Sequence, residues 1–363
     1  MKIGRRPLVS VAGTLGLALI LGLMFFSCWM GNQMNTPIGD SYFMVGTKEN
    51  QGILGDLFSL LENETPGEEG HFAVVREIAH NYVMQQEYSR LINFLTSLVN
   101  ENPHDPYNTY YLFMTAIAHM QEEAYPVAAL YFNLIIKNYP DLKVLDESIH
   151  LACLNHLISI VDNADQRVWY YEELIQRFPD SIDLGITYFL MAQAYEQIGE
   201  WNKAVQAYIQ FLPYVGTNVP GFPNADTYAR QLVDFHNSPK NWTYESLDSL
   251  LIAIKNALDS GSHVRLEQCR AKVNFFARTW EQQDTDDRGM VDFHLADFMR
   301  ANRINYAAQL DTDSNANEAY LRTWGWSLHM STWYLYFRKI NFPIDPEIHG
   351  RWEWAGIYYG EKL

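Results

Sequence analysis

Asp311, Asp313 and Asn315 alternate as the first oxygen donors of a calcium loop do, a spacing that can gather side-chain oxygens around one hard cation. The match ends there, because Ala316 replaces the glycine that the sharp turn needs and Arg322 stands where a bidentate glutamate would complete the shell. These residues read as a polar hairpin loop, and the cluster Asp284, Asp286 and Asp287 reads as a solvated turn. The 11 histidines have no zinc-protease spacing and no cysteine pairs to complete a metal site, and His150 and His156 do not share one helical face closely. No glycine-rich phosphate loop, nucleophile elbow or plausible cysteine nucleophile occurs. Cys153 falls on an apolar helical face and Cys269 in the carboxyl-terminal segment. Both read as buried unpaired thiols, with a disulfide between them as the alternative. No catalytic residue, metal or cofactor is expected, and the chain reads as something other than an enzyme.

What must be positioned, then, is a surface. Four stretches of about 34 to 39 residues share one layout: a helix with a small buried residue and an aromatic, a second amphipathic helix, then a proline turn. The clearest begins near Leu184, where Tyr188, Met191, Ala192 and Tyr195 lie on one face, Gly199 breaks the chain, and Trp201, Ala204, Tyr208, Phe211 and Leu212 build the partner helix. The copy near Tyr110 repeats this with Leu112, Ala116, Tyr125, Ala128 and Phe132 and closes on Tyr139-Pro140-Asp141. The first copy carries Ile78, Ala79, Tyr82, Tyr88, Leu91, Leu95 and Leu98 and ends at Pro103. The third carries Leu151, Leu154, Ile158, Tyr171 and Leu174 and closes on Phe178-Pro179-Asp180. A proline at each closure removes a backbone donor and pushes the residue before it out of the helical region, so one repeat ends and the next is angled.

Over roughly 71 to 216 these residues resemble the tetratricopeptide repeat, and Phe178 to Leu212 is most similar to the repeats of bacterial envelope proteins such as the outer-membrane assembly lipoprotein class. The resemblance implies an α-solenoid of helix pairs whose first helices line a concave wall. Carried onto this chain, the wall presents Arg76, His80 and Met84, then Tyr110, Phe113, Ile117 and Met120, then His156, then Phe189, Gln193 and Gln197. Repeat domains that clamp a terminal carboxylate resemble one another in lysine and asparagine at these places, which this chain lacks. The implied ligand is an apolar or aromatic segment of a partner, held by burial with Gln and His fixing register. The same side chains could instead be covered by the first cap helix or the carboxyl-terminal domain.

The amino terminus supplies an address. Lys2, Arg5 and Arg6 precede an apolar run from Leu8 to Phe26, which is the order of an export signal whose positive end stays inside. Phe25-Phe26-Ser27-Cys28 resembles a bacterial lipobox, implying that Cys28 is lipidated and becomes the new amino terminus. An uncleaved single-span anchor is the alternative, since about 20 apolar residues can cross a bilayer. Either way the body is expected outside the cytoplasm, on the periplasmic face, tethered to a lipid bilayer and meeting other envelope proteins.

Composition fits an exported, folded chain of 363 residues, 48% hydrophobic and only 19% charged. The net charge of -17 becomes -20 if Lys2, Arg5 and Arg6 leave with the leader, and such acidity opposes binding to nucleic acid. The segments are expected at 1–28 (signal or anchor), 29–66 (tether and a short cap helix around Ile53 to Leu61), 67–240 (repeats) and 241–363. The breaker run Pro213, Gly216, Pro220, Gly221 and Pro223 marks the main boundary, with the helix from Asp226 to Phe235 as a closing cap. Beyond Trp242, one more helix (Leu247, Leu250, Leu251, Ile254, Leu258) leads into aromatic and β-branched runs at 273–280, 319–326, 333–340 and 352–359, which read as strands of a smaller α+β domain. Alternation at Trp324/Trp326 and Trp352/Trp354 puts each pair on one face. Those tryptophans read as core under a helix, or else as a platform for a small hydrophobic molecule or glycan.

Overall fold

The computed structural model describes residues 41–214, 216–280, 294–300 and 302–362. Cys28, the leader and the proposed anchor lie outside them, as does the cluster Asp284, Asp286 and Asp287. No helix among the described residues is long and apolar enough to cross a membrane. The chain divides into two compact units, 1–156 and 157–363.

In the first unit, α1 (Lys48–Leu61) precedes the helices α2 (Glu69–Met84), α3 (Tyr88–Glu101), α4 (Asn108–Gln121) and α5 (Tyr125–Asn138). The unit closes within α6 (Ile149–Ile160). The apolar spacing does what it dictates: Ile78, Ala79, Tyr82, Leu91, Leu95 and Leu98 are buried in one cluster with Tyr111 and Ala118. The anticipated cap helix is present and longer than expected. Thr47 caps it by accepting from the Asn50 amide, and its Leu54, Phe58 and Leu61 close the apolar face that the first hairpin would otherwise expose. Phe43 completes this cap, and its carbonyl accepts from the buried Tyr82 hydroxyl at 2.9 Å. Tyr125, assigned to the repeat packing, lies 44% exposed at the start of α5. A two-stranded hairpin, β1 (Lys143–Val144) and β2 (Glu147–Ser148), follows Pro140 where only a turn was expected. It serves α6, because Asp141 accepts from the His150 amide and Ser148 from the Leu151 amide.

In the second unit, α7 (Ala164–Arg177), α8 (Leu184–Gln197), α9 (Trp201–Phe211) and α10 (Ala225–Asn237) pack as successive neighbours. Three of the hairpin turns share one geometry. In the turns between α2 and α3, α4 and α5, and α8 and α9, the middle residue takes a left-handed conformation, at Gln86, Glu123 and Gly199. In each, the next amide reaches back to an aromatic residue's carbonyl at 2.9 Å: Glu87 to Tyr82, Ala124 to His119, Glu200 to Tyr195. This closure satisfies the last carbonyls of a helix while reversing the chain. Only Gly199 adopts it without a steric cost.

Past α10 the chain enters the α+β region: α11 (Leu247–Asp259), α12 (His263–Cys269), β3 (Phe276–Thr279), α13 (Leu295–Met299), β4 (Asn305–Tyr306), β5 (Glu318–Trp324), β6 (Trp333–Lys339) and β7 (Trp352–Tyr359). The sheet order is β3-β7-β6-β5-β4, with β3 parallel to β7 and the other pairs antiparallel. Leu321, Leu335, Phe337, Trp333, Trp352, Trp354 and Ile357 face α11 and α12 in one core. A bulge opposite Tyr336 and Phe337 adds one residue to β7, which keeps both Trp354 and Ile357 inside despite their odd spacing. Trp352 and Trp354 share the core face as the alternation implies. Trp324 and Trp326 do not: Gly325 turns the chain at φ +92°, leaving Trp324 42% exposed and Trp326 fully buried. The opposite sheet face carries Phe276, Tyr320, Tyr334, Tyr336 and Tyr358, with Trp280 packed on Tyr334 and Tyr358, so the aromatics left outside the tryptophan core are mostly tyrosines.

The last repeat and the sheet are joined inside this unit by α10. Its inner face packs on α9, and Phe235 meets Trp242 and Phe342 at ring-centroid distances of 6.3 and 4.8 Å. Trp242 is fully buried and donates to the Glu353 carboxylate at 2.8 Å, which also accepts from Arg338 at 2.8 Å. A carboxylate this enclosed stays tolerable because it is both paired and hydrogen-bonded.

Candidate docking site

Asp183 starts α8 by accepting from the Ile186 amide at 2.9 Å, and small residues let α9 approach, with Ala192, Ala194, Ala204 and Ala207 all buried. Phe189 projects from the middle of α8. Its ring lies 5.5 Å from Tyr208 and 5.2 Å from Phe211 on α9, 5.1 Å from Phe222, and 6.5 Å from Tyr228 on α10. Expected on the open concave wall, it has no exposed surface. The reason lies in the segment read as a breaker run: Val219 to Phe222 folds into a tight turn through Gly221 at φ +80°, and the turn lays Phe222 over the Phe189 ring.

Above this floor is a cleft of about 290 Å³ lined by Phe189, Gln193, Phe222, Pro223, Asn224 and Tyr228. Phe222 and Tyr228 remain 38% and 42% exposed, so the walls are aromatic and reachable from water. Polar groups stand along one side. The Gln193 amide donates to the Tyr208 hydroxyl, which donates to Glu196 at 3.1 Å, while the Tyr228 hydroxyl donates to both oxygens of the same carboxylate at 2.9 and 3.1 Å. Burial raises the pKa of Glu196 more than the two tyrosine hydrogen bonds lower it. Burial and the neighbouring carboxylate push both tyrosine hydroxyls well above their ordinary value. Nothing here activates a nucleophile. The cleft offers an apolar floor, aromatic walls and one polar edge, which suits reversible burial of an apolar side chain.

The helix pair around this cleft matches a known repeat. The tetratricopeptide repeat family model matches residues 187–212, from the first turn of α8 to just beyond α9. Over those residues the hairpin is similar to a tetratricopeptide repeat. No curated protein matches the chain.

The other expected wall residues occupy varied positions. On α2, Arg76 is partly exposed and lies 3.9 Å from Glu77, while His80 and Met84 are open to solvent, Met84 at 67%. On α4, Tyr110, Phe113, Ile117 and Met120 are half-buried. Tyr110 packs edge-on against Phe72 at 5.2 Å, and Phe113 meets Phe132 and His156 at 5.9 and 6.1 Å. His156 stacks on Phe132 at 5.2 Å, and burial lowers its pKa. In the second unit Phe189 and Gln193 share the cleft and Gln197 is exposed one turn farther along α8. Phe222, Tyr228 and Glu196 were missed by sequence reasoning. An aromatic between Gly221 and Pro223 was the available signal, since a rigid turn presents its side chain at fixed geometry.

Proposed function

We propose that the protein is a non-enzymatic scaffold, tethered through its amino terminus to a membrane and facing the periplasm, that docks other envelope proteins during envelope assembly or transport. The observation that carries this reading is the aromatic cleft on the tetratricopeptide hairpin, with Phe222 and Tyr228 partly open above buried Phe189. A partner's apolar side chain entering it exchanges water for ring contacts, and the Gln193 edge sets its register. The tether rests on the leader sequence and on Cys28 alone.

A photocrosslinking residue at Gln197, in the full chain in cells, is expected to capture a discrete partner, and Tyr228→Ala to reduce that capture at least about fivefold. Equal capture from a control at exposed Gln206 on α9, or no loss with Tyr228→Ala, counts against the cleft. Cys28→Ser is expected to release the body from membranes if Cys28 is the lipid anchor; unchanged membrane recovery removes that part of the proposal. A second reading, a transport accessory whose sheet holds a small hydrophobic molecule or glycan, is supported by the tyrosine face around Tyr320, Tyr336 and Tyr358. Ligand-dependent quenching of tryptophan emission that leaves the Gln197 crosslink intact would favour it.

A further inference from the structure

The aspartates that imitate a calcium loop do hold a cation, and it belongs to this chain. The Lys362 ammonium donates to Asp311 Oδ1 at 2.8 Å and to Asp313 Oδ2 at 2.7 Å. The same nitrogen lies over three rings, 4.8 Å from the centroid of Trp280, 4.6 Å from Tyr320 and 5.2 Å from Tyr334. Two carboxylates and three aromatic faces thus converge on one ammonium from separate places in the sequence: the end of β3, the loop before β5, and strands β5 and β6. Ring faces attract a cation through their quadrupoles, and the attraction strengthens where water is excluded. With Lys362 seated, Tyr334 is 5% exposed and the Asp311 side chain 20%, so these two groups are mostly withdrawn from water. The Asp313 side chain is 65% exposed, which leaves that flank open to solvent.

Much of the framework around the cage is held by contacts that do not involve the Lys362 side chain, although Trp280 also donates to the Gly360 carbonyl at 3.2 Å. Asp311 also accepts from the Asp313 amide at 3.2 Å, its own amide donates to the Tyr320 carbonyl at 2.9 Å, and Ser314 accepts from the Tyr320 amide at 3.0 Å. Trp280 stacks on Tyr358 at 4.2 Å and 9°, and Tyr320 lies 5.3 Å from Tyr336. Lys362 stands on a short segment past β7 that is anchored at Gly360, whose amide donates to the Thr332 carbonyl at 3.0 Å, and beyond it Glu361 meets Thr332 and the half-exposed Arg322. Exposed pairs of this kind hold weakly.

We propose that Trp280, Tyr320, Tyr334, Asp311 and Asp313 form a binding site for a primary alkylammonium, filled in cis by Lys362 and open to an incoming amine that takes its place. The class follows from the contacts: the rings accept any organic cation, but the two carboxylates are placed to accept N–H donors, which a quaternary ammonium lacks. A lysine side chain of a partner protein and a free alkyl diamine both carry that group. The site is independent of the cleft on the repeat.

The test empties the cage with Lys362→Ala in the full chain and titrates Nα-acetyl-lysine methylamide, cadaverine, the Nε-trimethyl form of the lysine probe, and the norleucine counterpart. Tryptophan emission and the tyrosine side-chain NMR signals report binding. The two primary amines are expected to bind Lys362→Ala in the millimolar range and the unaltered chain at least about tenfold more weakly. Adding Asp311→Asn and Asp313→Asn to Lys362→Ala should weaken them at least about tenfold. Preference for the lysine amide points to a partner's side chain as the source, and preference for cadaverine points to a free diamine; either supports the site. No saturable binding to Lys362→Ala with circular dichroism unchanged, equal binding of the norleucine probe, or binding of the trimethyl form as tight as the primary amine overturns the proposal. Should Lys362→Ala alter the circular dichroism, Lys362→Gln is judged by the same criteria.

Discussion

Truncating the ring at position 189 separates an enclosed hub from an open wall residue. Phe189 has no exposed surface and touches four other rings, so Phe189→Ala removes a large buried side chain and leaves a cavity, a change that costs about 3–5 kcal/mol. Phe222, which covers it, is 38% exposed. About three-fifths of its surface is withdrawn from water, and full burial of such a side chain is worth about 1.5–3 kcal/mol, so Phe222→Ala should cost only about 1–2 kcal/mol. Hydrogen exchange of the amides of α8 and α9 reads these numbers directly, because protection follows the free energy of opening locally and globally. Exchange should accelerate at least about a hundredfold in Phe189→Ala and about 5- to 30-fold in Phe222→Ala. If the two variants change exchange equally, or Phe189→Ala changes it less than about tenfold, then Phe189 is not the centre of the cleft floor. It would then behave as the solvent-facing wall residue that helical spacing alone suggests.

Two further outcomes test other parts of the structure. A Cβ on Gly356 would lie 2.6–2.7 Å from three atoms of the Phe276 ring, so Gly356→Ala should destabilise the sheet by about 1–3 kcal/mol in urea unfolding, and combining it with Phe276→Ala should cost less than the two changes summed. Additivity would show that the ring does not press on that glycine. Burial lowers the pKa of His71, with Asp105 and Glu64 only partly opposing it, so the folded state binds fewer protons than the unfolded chain below the ordinary value of 6.5. Its contribution is fully present above that value and is lost as pH falls toward the lowered one. The urea midpoint should therefore drop between pH 7.5 and 5.5, and the drop should be shallower in His71→Gln; an identical slope in the variant refutes the assignment.

Local pattern made most elements legible. The apolar spacing at Ile78, Ala79 and Tyr82, and at Met191, Ala192 and Tyr195, marks the helix faces that the structure buries, and the aromatic run at 352–359 coincides with β7. The same logic failed at Phe189, because spacing says which way a side chain points along its own helix and not what folds back over it. It failed at Trp326 because one glycine rotated the following residue out of the strand's alternation. It passed over the left-handed turns at Gln86 and Glu123, whose residue types do not announce that conformation. At the calcium-like loop the sequence showed alternating oxygen donors that read as a polar hairpin, and the cation that Asp311 and Asp313 pair with lay some fifty residues away at Lys362.

The residues by themselves determined the repeating helix pairs, the strand runs and the absence of recognisable catalytic motifs, since each depends on neighbours within one or two turns of chain. Only the tertiary structure decided that Phe222 and Tyr228 close over Phe189, that a bulge keeps Trp354 and Ile357 on one face, and that Lys362 reaches a ring of aromatics and acids. Those outcomes depend on long-range closure. Distant segments compete to cover exposed apolar surface and to pair buried charge, and that competition is settled by three-dimensional packing.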